Sequence, residues 1–289
     1  RRKFLKSAAS EERRVSALLR DFAVAYPSVV FSENRDGKAG FSSSGDGDRE
    51  RLLRELWGDA GELRHCEAGY QHYYQKVGPA APRSADPLVQ TGNSYPTHAI
   101  GPVAQWMDIN RGNRFDYLVS MSADGTRGNP GADINTSLIR TVNGQTITLY
   151  YDTKLPRPYD LIYRVQGTQG IYSATLDQIY IEGRSPKNQT WESMDEYYKQ
   201  YEHPLWKAWG EKALSHGGHG GADWLTLHRL IHAMRTGAAP DMDVYDAATW
   251  SCITELSEKS VARRSSPMDF PDFTQGRWKT TPPIGILGA

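Results

Sequence analysis

The chain has 289 residues, with 34 Lys and Arg balancing 34 Asp and Glu, so its formal net charge is zero. That balance gives no global pull toward nucleic acid or an anionic membrane, and 11% aromatic with 24% charged residues argues against intrinsic disorder. Two cysteines, Cys66 and Cys252, are too few for a disulfide scaffold or a Cys-rich metal site, and no apolar run reaches the roughly 18–20 residues of a membrane span.

The chain opens Arg1-Arg2-Lys3-Phe4-Leu5-Lys6, which resembles the R-R-x-F-L-K start of a twin-arginine export signal and implies a periplasmic or exported protein. The apolar stretch that should follow is replaced by Ser10-Glu11-Glu12-Arg13-Arg14, so residues 1–10 read as a signal remnant, or as a basic turn leading into a helix. Residues 11–50 are unassigned to any domain. Ser10 with Glu11 and Glu12 starts a helix that Pro27 stops, and residues 28–32 suit a short strand. Residues 34–48, rich in Gly, Ser and Asp, read as a loop, and residues 48–57 as a short helix.

From residue 62 to 74 the period is two, with Leu63, His65, Glu67 and Gly69 on one side and Arg64, Cys66, Ala68 and Tyr70 on the other, which predicts a long strand. Residues 77–94 read as a loop and residues 97–109 as a helix. Strands are predicted near 115–121, 136–142, 145–152, 160–166, 170–174 and 178–182, and Asn143-Gly144 is the strongest hairpin signal. Helical period follows over 193–214 with a break at Pro204, over 222–236 with Trp224, Leu227, Ile231 and Met234 on one stripe, and over 243–263 with Asp243 as cap. Strands followed by helices, without β-α-β alternation, predict an α+β domain over 51–289: a large mixed or antiparallel sheet with helices packed on one face.

The sequence contains no G-x-G-x-x-G, no G-x-x-x-x-G-K-[ST] and no G-x-S-x-G. His228 and His232 have metal-ligand spacing on a helix, but Arg229 stands where a zinc protease needs Glu, so no metal site is assigned.

Three stretches can carry chemistry. Tyr95-Pro96-Thr97-His98 opens the predicted 97–109 helix, whose positive N-terminus disfavours an imidazolium and leaves His98 suited to base or donor work. His216-Gly217-Gly218-His219-Gly220-Gly221 is a Gly-rich turn entering a helix, either a site or a hinge. Pro156-Arg157-Pro158-Tyr159 is stiffened by two prolines, so Arg157 and Tyr159 lose little entropy on ordering. Each also suits a purely structural role.

These features occur together in one family. G-E-L-R-H-C-E-A-G-Y-Q-H (61–72), the long stretch around Y-P-T-H (92–122), R-P-Y-D (157–160), G-H-G-G-A-D-W (218–224) and D-M-D-V-Y-D-A-A-T-W-S (241–251) resemble glycoside hydrolase family 109. These are NAD-dependent alpha-N-acetylgalactosaminidases of the Gfo/Idh/MocA superfamily, and the resemblance spans about residues 52–281 in family order. It implies a Gfo/Idh/MocA C-terminal-type domain, NAD as cofactor and an N-acetylgalactosamine-containing glycan as partner. It also implies roles: Tyr70, Arg83, Tyr95, Pro96, Thr97, His98 and Tyr159 bind the sugar, Tyr95 also touches the cofactor, and Tyr95, His98 and Tyr159 are catalytic. Hydride removal at carbon 3 of the sugar would leave a ketone that acidifies carbon 2. A base would then take that proton, the glycosidic oxygen would leave, water would add and the hydride would return. Tyr and His suit this route better than the two carboxylates of common glycosidases.

The family's first half is a Rossmann domain, and residues 1–51 contain no dinucleotide fingerprint, which reads as an internal deletion. Such a chain would keep the sugar side, lack the main cofactor domain and leave an apolar face open to homo-oligomer formation. The alternatives are a related sugar oxidoreductase and a non-catalytic sugar-binding remnant.

Overall fold

The computed structural model describes residues 61–74, 91–123 and 132–284, together with the backbone of 32–35 and 38–42. The export-like start, the helices predicted over 11–26 and 48–57, and Arg83 lie outside the described residues.

Two antiparallel strands, β1 (Ser32–Arg35) and β2 (Lys38–Ser42), form a small sheet of their own where composition predicted a loop over 34–48. A Gly- and Ser-rich stretch thus pairs through its backbone, which composition does not report.

The main sheet is mixed and has nine strands: β3 (Leu63–Gln71), β4 (Phe115–Ser122), β5 (Ile134–Thr141), β6 (Thr146–Asp152), β7 (Arg164–Gly167), β8 (Gly170–Ser173), β9 (Gln178–Ile181), β10 (Glu192–Ser193) and β11 (Met268–Asp269). Its order is β10-β9-β8-β7-β3-β6-β5-β4-β11, with β3 parallel to β6 and antiparallel pairs at β4–β5, β5–β6, β7–β8 and β4–β11. The β5–β6 hairpin turns at Asn143-Gly144, where Gly144 takes φ 86° as the turn requires.

Among the described residues the α-helices are α1 (Thr97–Trp106), α2 (Asp195–Tyr201), α3 (Pro204–His216), α4 (Ala222–Thr236) and α5 (Val244–Ala262). The predicted break at Pro204 separates α2 from α3, and Asp243 caps α5 in a capping box with Asp246. Helix α1 stops three residues before the predicted end, because Asp108 and Asn110 adopt positive φ.

The larger of two compact units holds Leu63–Gln166, Ile171–Ile179 and Ser193–Ala289. Its core lies where α1 and α5 pack on β3, β4 and β6, around Cys66, Ile100, Val103, Phe115, Leu118, Ile147, Leu149 and Ile253. The expectation that the helices share one sheet face therefore holds for α1 and α5. Helices α3 and α4 pack on each other, and the α4 stripe of Leu227, Ile231 and Met234 is exposed. Within the smaller unit, the described segments Gly167–Gly170 and Tyr180–Glu192 are tied internally, Glu182 N–H donating to the Gln169 carbonyl and Tyr180 to Asn188. No described helix is long and apolar enough to cross a membrane.

Candidate functional site

Strand β3 delivers the first site residue. Its alternation buries Cys66, Ala68 and Tyr70, and the chain stays extended past the strand end, so His72 and Tyr74 continue the two-residue period of Tyr70. Backbone bonds hold that extension, His72 N–H donating to the Asp152 carbonyl and Tyr74 N–H to that of Thr153.

The start of α1 delivers Tyr95 and His98. Pro96 is the N-cap, without a side-chain cap bond, and its carbonyl accepts from both Ala99 and Ile100. Residues 91–93 before it are gripped by α5. The Glu258 carboxylate accepts from the N–H and the hydroxyl of Thr91 and from Gly92 N–H, and Ser257 Oγ accepts from Asn93 N–H at 2.8 Å. Asn93 Oδ1 then accepts from Tyr95 N–H at 3.1 Å, so α5 positions the tyrosine through two links.

Tyr159 arrives on the proline-flanked segment. Arg157 donates to Gln71 Oε1 at 2.6 Å and lies 3.5 Å from the buried Asp152 carboxylate, which pins the segment beside the end of β3. Downstream, Ile162 and Tyr163 take φ 67° and 33°, with Asp160 Oδ1 accepting from Ile162 N–H. This turn is why the predicted 160–166 strand begins only at Arg164, and it aims the Tyr163 hydroxyl at the His98 carbonyl.

The rings converge. Tyr70 lies edge-on to Tyr95 at 4.8 Å, to His98 at 5.0 Å and to Tyr159 at 6.4 Å between centroids, and Tyr95 and His98 are 4.8 Å apart. His72 joins at 5.1 Å from Tyr159 and 4.2 Å from Tyr74. The buried Tyr70 hydroxyl pairs with that of Tyr74, and burial first, then that bond and the neighbouring phenols, push its ionisation up. Tyr159, although half exposed, is pushed up as well, by partial loss of solvent and then by Tyr74 and Tyr95. Tyr70 and Tyr159 therefore stand as neutral phenols beside the rings of His72 and His98.

His219 approaches His98, 6.3 Å between centroids, with Nδ1 at 2.9 Å from the Asp223 carboxylate. A carboxylate on Nδ1 orients the ring and leaves Nε2 for proton transfer. The Gly-rich turn allows this, since Gly217, Gly218, Gly220 and Gly221 all have positive φ, and a Cβ on Gly218 would stand 2.7 Å from Asp223 Oδ2.

Of the residues expected from sequence, Tyr70, Tyr95, His98 and Tyr159 come together, while Pro96 and Thr97 serve the helix start between them. Sequence reasoning missed His72, Tyr74, Asn93, Tyr163 and Glu258. The i, i+2, i+4 spacing of Tyr70, His72 and Tyr74 was the available signal for two of them; the others depend on tertiary contacts. His228 is stacked on Trp224 at 4.9 Å, and no cluster of three or more metal-type ligands occurs among the described residues.

Residues 74–130 and 128–280 match the family profile described as Glycosyl hydrolase 109, C-terminal domain. The chain belongs to glycosyl hydrolase family 109. A family 109 protein of Solibacter usitatus (strain Ellin6076) is 44% identical over 247 residues, covering 78% of this chain and 56% of the relative. One from Shewanella sp. (strain W3-18-1) is 43% identical over 258 residues, covering 79% and 56%. The chain thus spans about half the length of the curated relatives it matches.

Among solved structures, levoglucosan dehydrogenase in complex with NADH and levoglucosan superposes with a TM-score of 0.55 at 15% identity, covering 78% of this chain and 62% of that one. An oxidoreductase domain protein from Kribbella flavida gives 0.53 at 17% identity, covering 77% and 62%. At these identities the likeness is one of fold: the family 109 chain shares an α+β architecture with these oxidoreductases.

Proposed function

We propose that the chain carries the sugar-binding side of an NAD-dependent alpha-N-acetylgalactosaminidase. The observation that carries this reading is the meeting of Tyr70, Tyr95, His98 and Tyr159, from three separate segments, in one ring cluster. Aromatic edges and neutral hydroxyls suit a neutral sugar ring, with Arg83, Pro96 and Thr97 assigned to it by family likeness.

The residues fit NAD in part. Tyr95 and His98 offer flat ring faces and hydrogen-bonding groups suited to a nicotinamide end. The Gly-rich turn has Asp223 at its mouth, and that carboxylate disfavours a pyrophosphate there. NAD, when bound, supplies reversible hydride removal from the sugar. The chain's own residues then do proton work: Tyr95, His98 and Tyr159 hold the hydroxyls and move protons, and His219, oriented by Asp223, can serve the glycosidic oxygen. Paired carboxylates are not needed on this route. The Arg1-Arg2 start adds export to the proposal.

Incubating the protein with NAD⁺ and a chromogenic alpha-N-acetylgalactosaminide tests the reading. Product release that falls on Tyr159→Phe is expected; no release, with no NAD⁺ binding, would overturn it. The Asp223 carboxylate at the mouth of the Gly-rich turn favours a second reading, a sugar-binding domain without turnover. Thermal stabilisation by the sugar alone would support that one.

A further inference from the structure

We propose that the hydroxyl pair of Tyr70 and Tyr74 is the proton path between the sugar site and solvent, with Tyr74 as the outer relay; this rests on the glycosidase reading above. Tyr70 is only 7% exposed, and its ring touches those of Tyr95 and His98. A protonated phenol can take a proton from carbon 2 only as its own proton leaves, so Tyr70 needs a partner that receives it, and the shift runs in reverse when water adds. Its hydroxyl is hydrogen-bonded to that of Tyr74, which is 41% exposed, so one link joins the buried Tyr70 hydroxyl to water.

The link is built, not incidental. The two-residue period of the extended chain sets both rings on one side, 6.4 Å apart and tilted by 37°. Backbone bonds to Asp152 and Thr153 hold residues 72 and 74, and the His72 ring packs against Tyr74. Tyr159 is also exposed, but it meets Tyr70 edge-on at 85°, without the hydroxyl-to-hydroxyl contact that Tyr74 makes.

The proton count closes without a phenolate. As the carbon 2–hydrogen bond of a 3-keto sugar breaks, its electron pair stays on the sugar as an enolate and the proton goes to the Tyr70 oxygen. The proton already on Tyr70 passes to the Tyr74 oxygen, and that of Tyr74 passes to a base in solvent, hydroxide or a buffer base, whose loss of negative charge or gain of positive charge balances the enolate. Burial disfavours a free phenolate on Tyr70, which suits this concerted shift.

The test uses the protein with a 3-keto-N-acetylgalactosaminide in D2O, so the ketone is present without NAD⁺, and mass spectrometry follows deuterium at carbon 2. The parent should exchange, and Tyr74→Phe should exchange about tenfold or more slowly, since a positioned acid or base contributes about 10²–10⁴-fold. Added imidazole should restore part of the loss, and the sugar-induced rise in Tm should be unchanged. Should Tyr74→Phe fail to fold, Tyr74→His keeps a proton carrier and should exchange near the parent rate. Parent-rate exchange by Tyr74→Phe would overturn the relay and leave the glycosidase reading standing. Slow exchange that imidazole cannot speed would overturn it in favour of a structural role. A parent that binds the probe without exchange would overturn the reading, and the relay with it.

Discussion

The Tyr163 hydroxyl donates to the backbone carbonyl of His98. In a regular helix that carbonyl would accept from the N–H of residue 102, but Pro102 sits inside α1 and has none. The tyrosine thus fills an acceptor that the proline leaves open, and it fixes the turn bearing His98. Tyr163→Phe should cost about 1–3 kcal/mol, the range for an orphaned partly buried group. Pro102→Ala restores an N–H donor, so in the Tyr163→Phe background it should recover most of that loss. Urea unfolding of the two single variants and the double variant checks this; strictly additive losses would remove the link.

The strap before Tyr95 depends on a missing side chain. A Cβ at Gly92 would stand 2.6 Å from Ser257 Oγ and 2.7 Å from the Glu258 backbone nitrogen, and backbone cannot yield cheaply. Gly92→Ala should therefore lower stability. Glu258→Ala should do so by about 2–3 kcal/mol, because several donors lose one charged acceptor. Both should weaken sugar binding more than an exposed control such as Lys207→Ala. Thermal melts with and without N-acetylgalactosamine measure it, and intact sugar stabilisation in Glu258→Ala would mean that the Glu258 grip on residues 91 and 92 does not help to position Tyr95.

How much of this was legible in the sequence follows from the range of each interaction. The strands from Phe115 to Ile181 and the Asp243 cap were readable because alternation, Asn143-Gly144 and a capping residue act within a few positions. The end of α1 and the start of β7 were misjudged where Asp108, Ile162 and Tyr163 enter left-handed backbone that tertiary contacts impose. The ring cluster was readable only as motifs. Nothing local shows that residues 70, 95 and 159 meet, or that Glu258 holds the strap from more than 160 residues away.

Arg111 and Asp246 form a buried bidentate pair, 2.8 and 2.6 Å, with Asn110 donating to the same carboxylate. Asp246 is also the reciprocal partner in the Asp243 capping box, so the pair ties the residues after α1 to the first turn of α5. Arg111→Met leaves a buried carboxylate without its cation and should cost about 3–5 kcal/mol. Asp246→Asn keeps the shape and loses the charge, stranding the arginine instead. The double variant should lose less than the sum of the singles, and a full sum in urea melts would show the two residues to be independent.

Stability should fall in mild alkali through buried thiols. Cys66 is fully buried, and burial pushes its ionisation from the ordinary 9.0 up to about 12. The unfolded thiol loses its proton near 9 and the folded one only near 12, so the unfolded state binds fewer protons across that window. The contribution is complete below about pH 9 and is lost as pH rises toward 12, at up to about 1.4 kcal/mol per pH unit for one thiol. Cys252 is pushed to about 12 as well, by burial and then by Glu255, and adds to the slope. Tyr and Lys also titrate in this range, so the informative quantity is the difference between parent and Cys66→Ala. The variant should start less stable at pH 7.5, because of the cavity, and decline less steeply from pH 9 to 10.5. Parallel declines of the two urea midpoints would show that the Cys66 thiol ionises as readily in the folded chain as in the unfolded one.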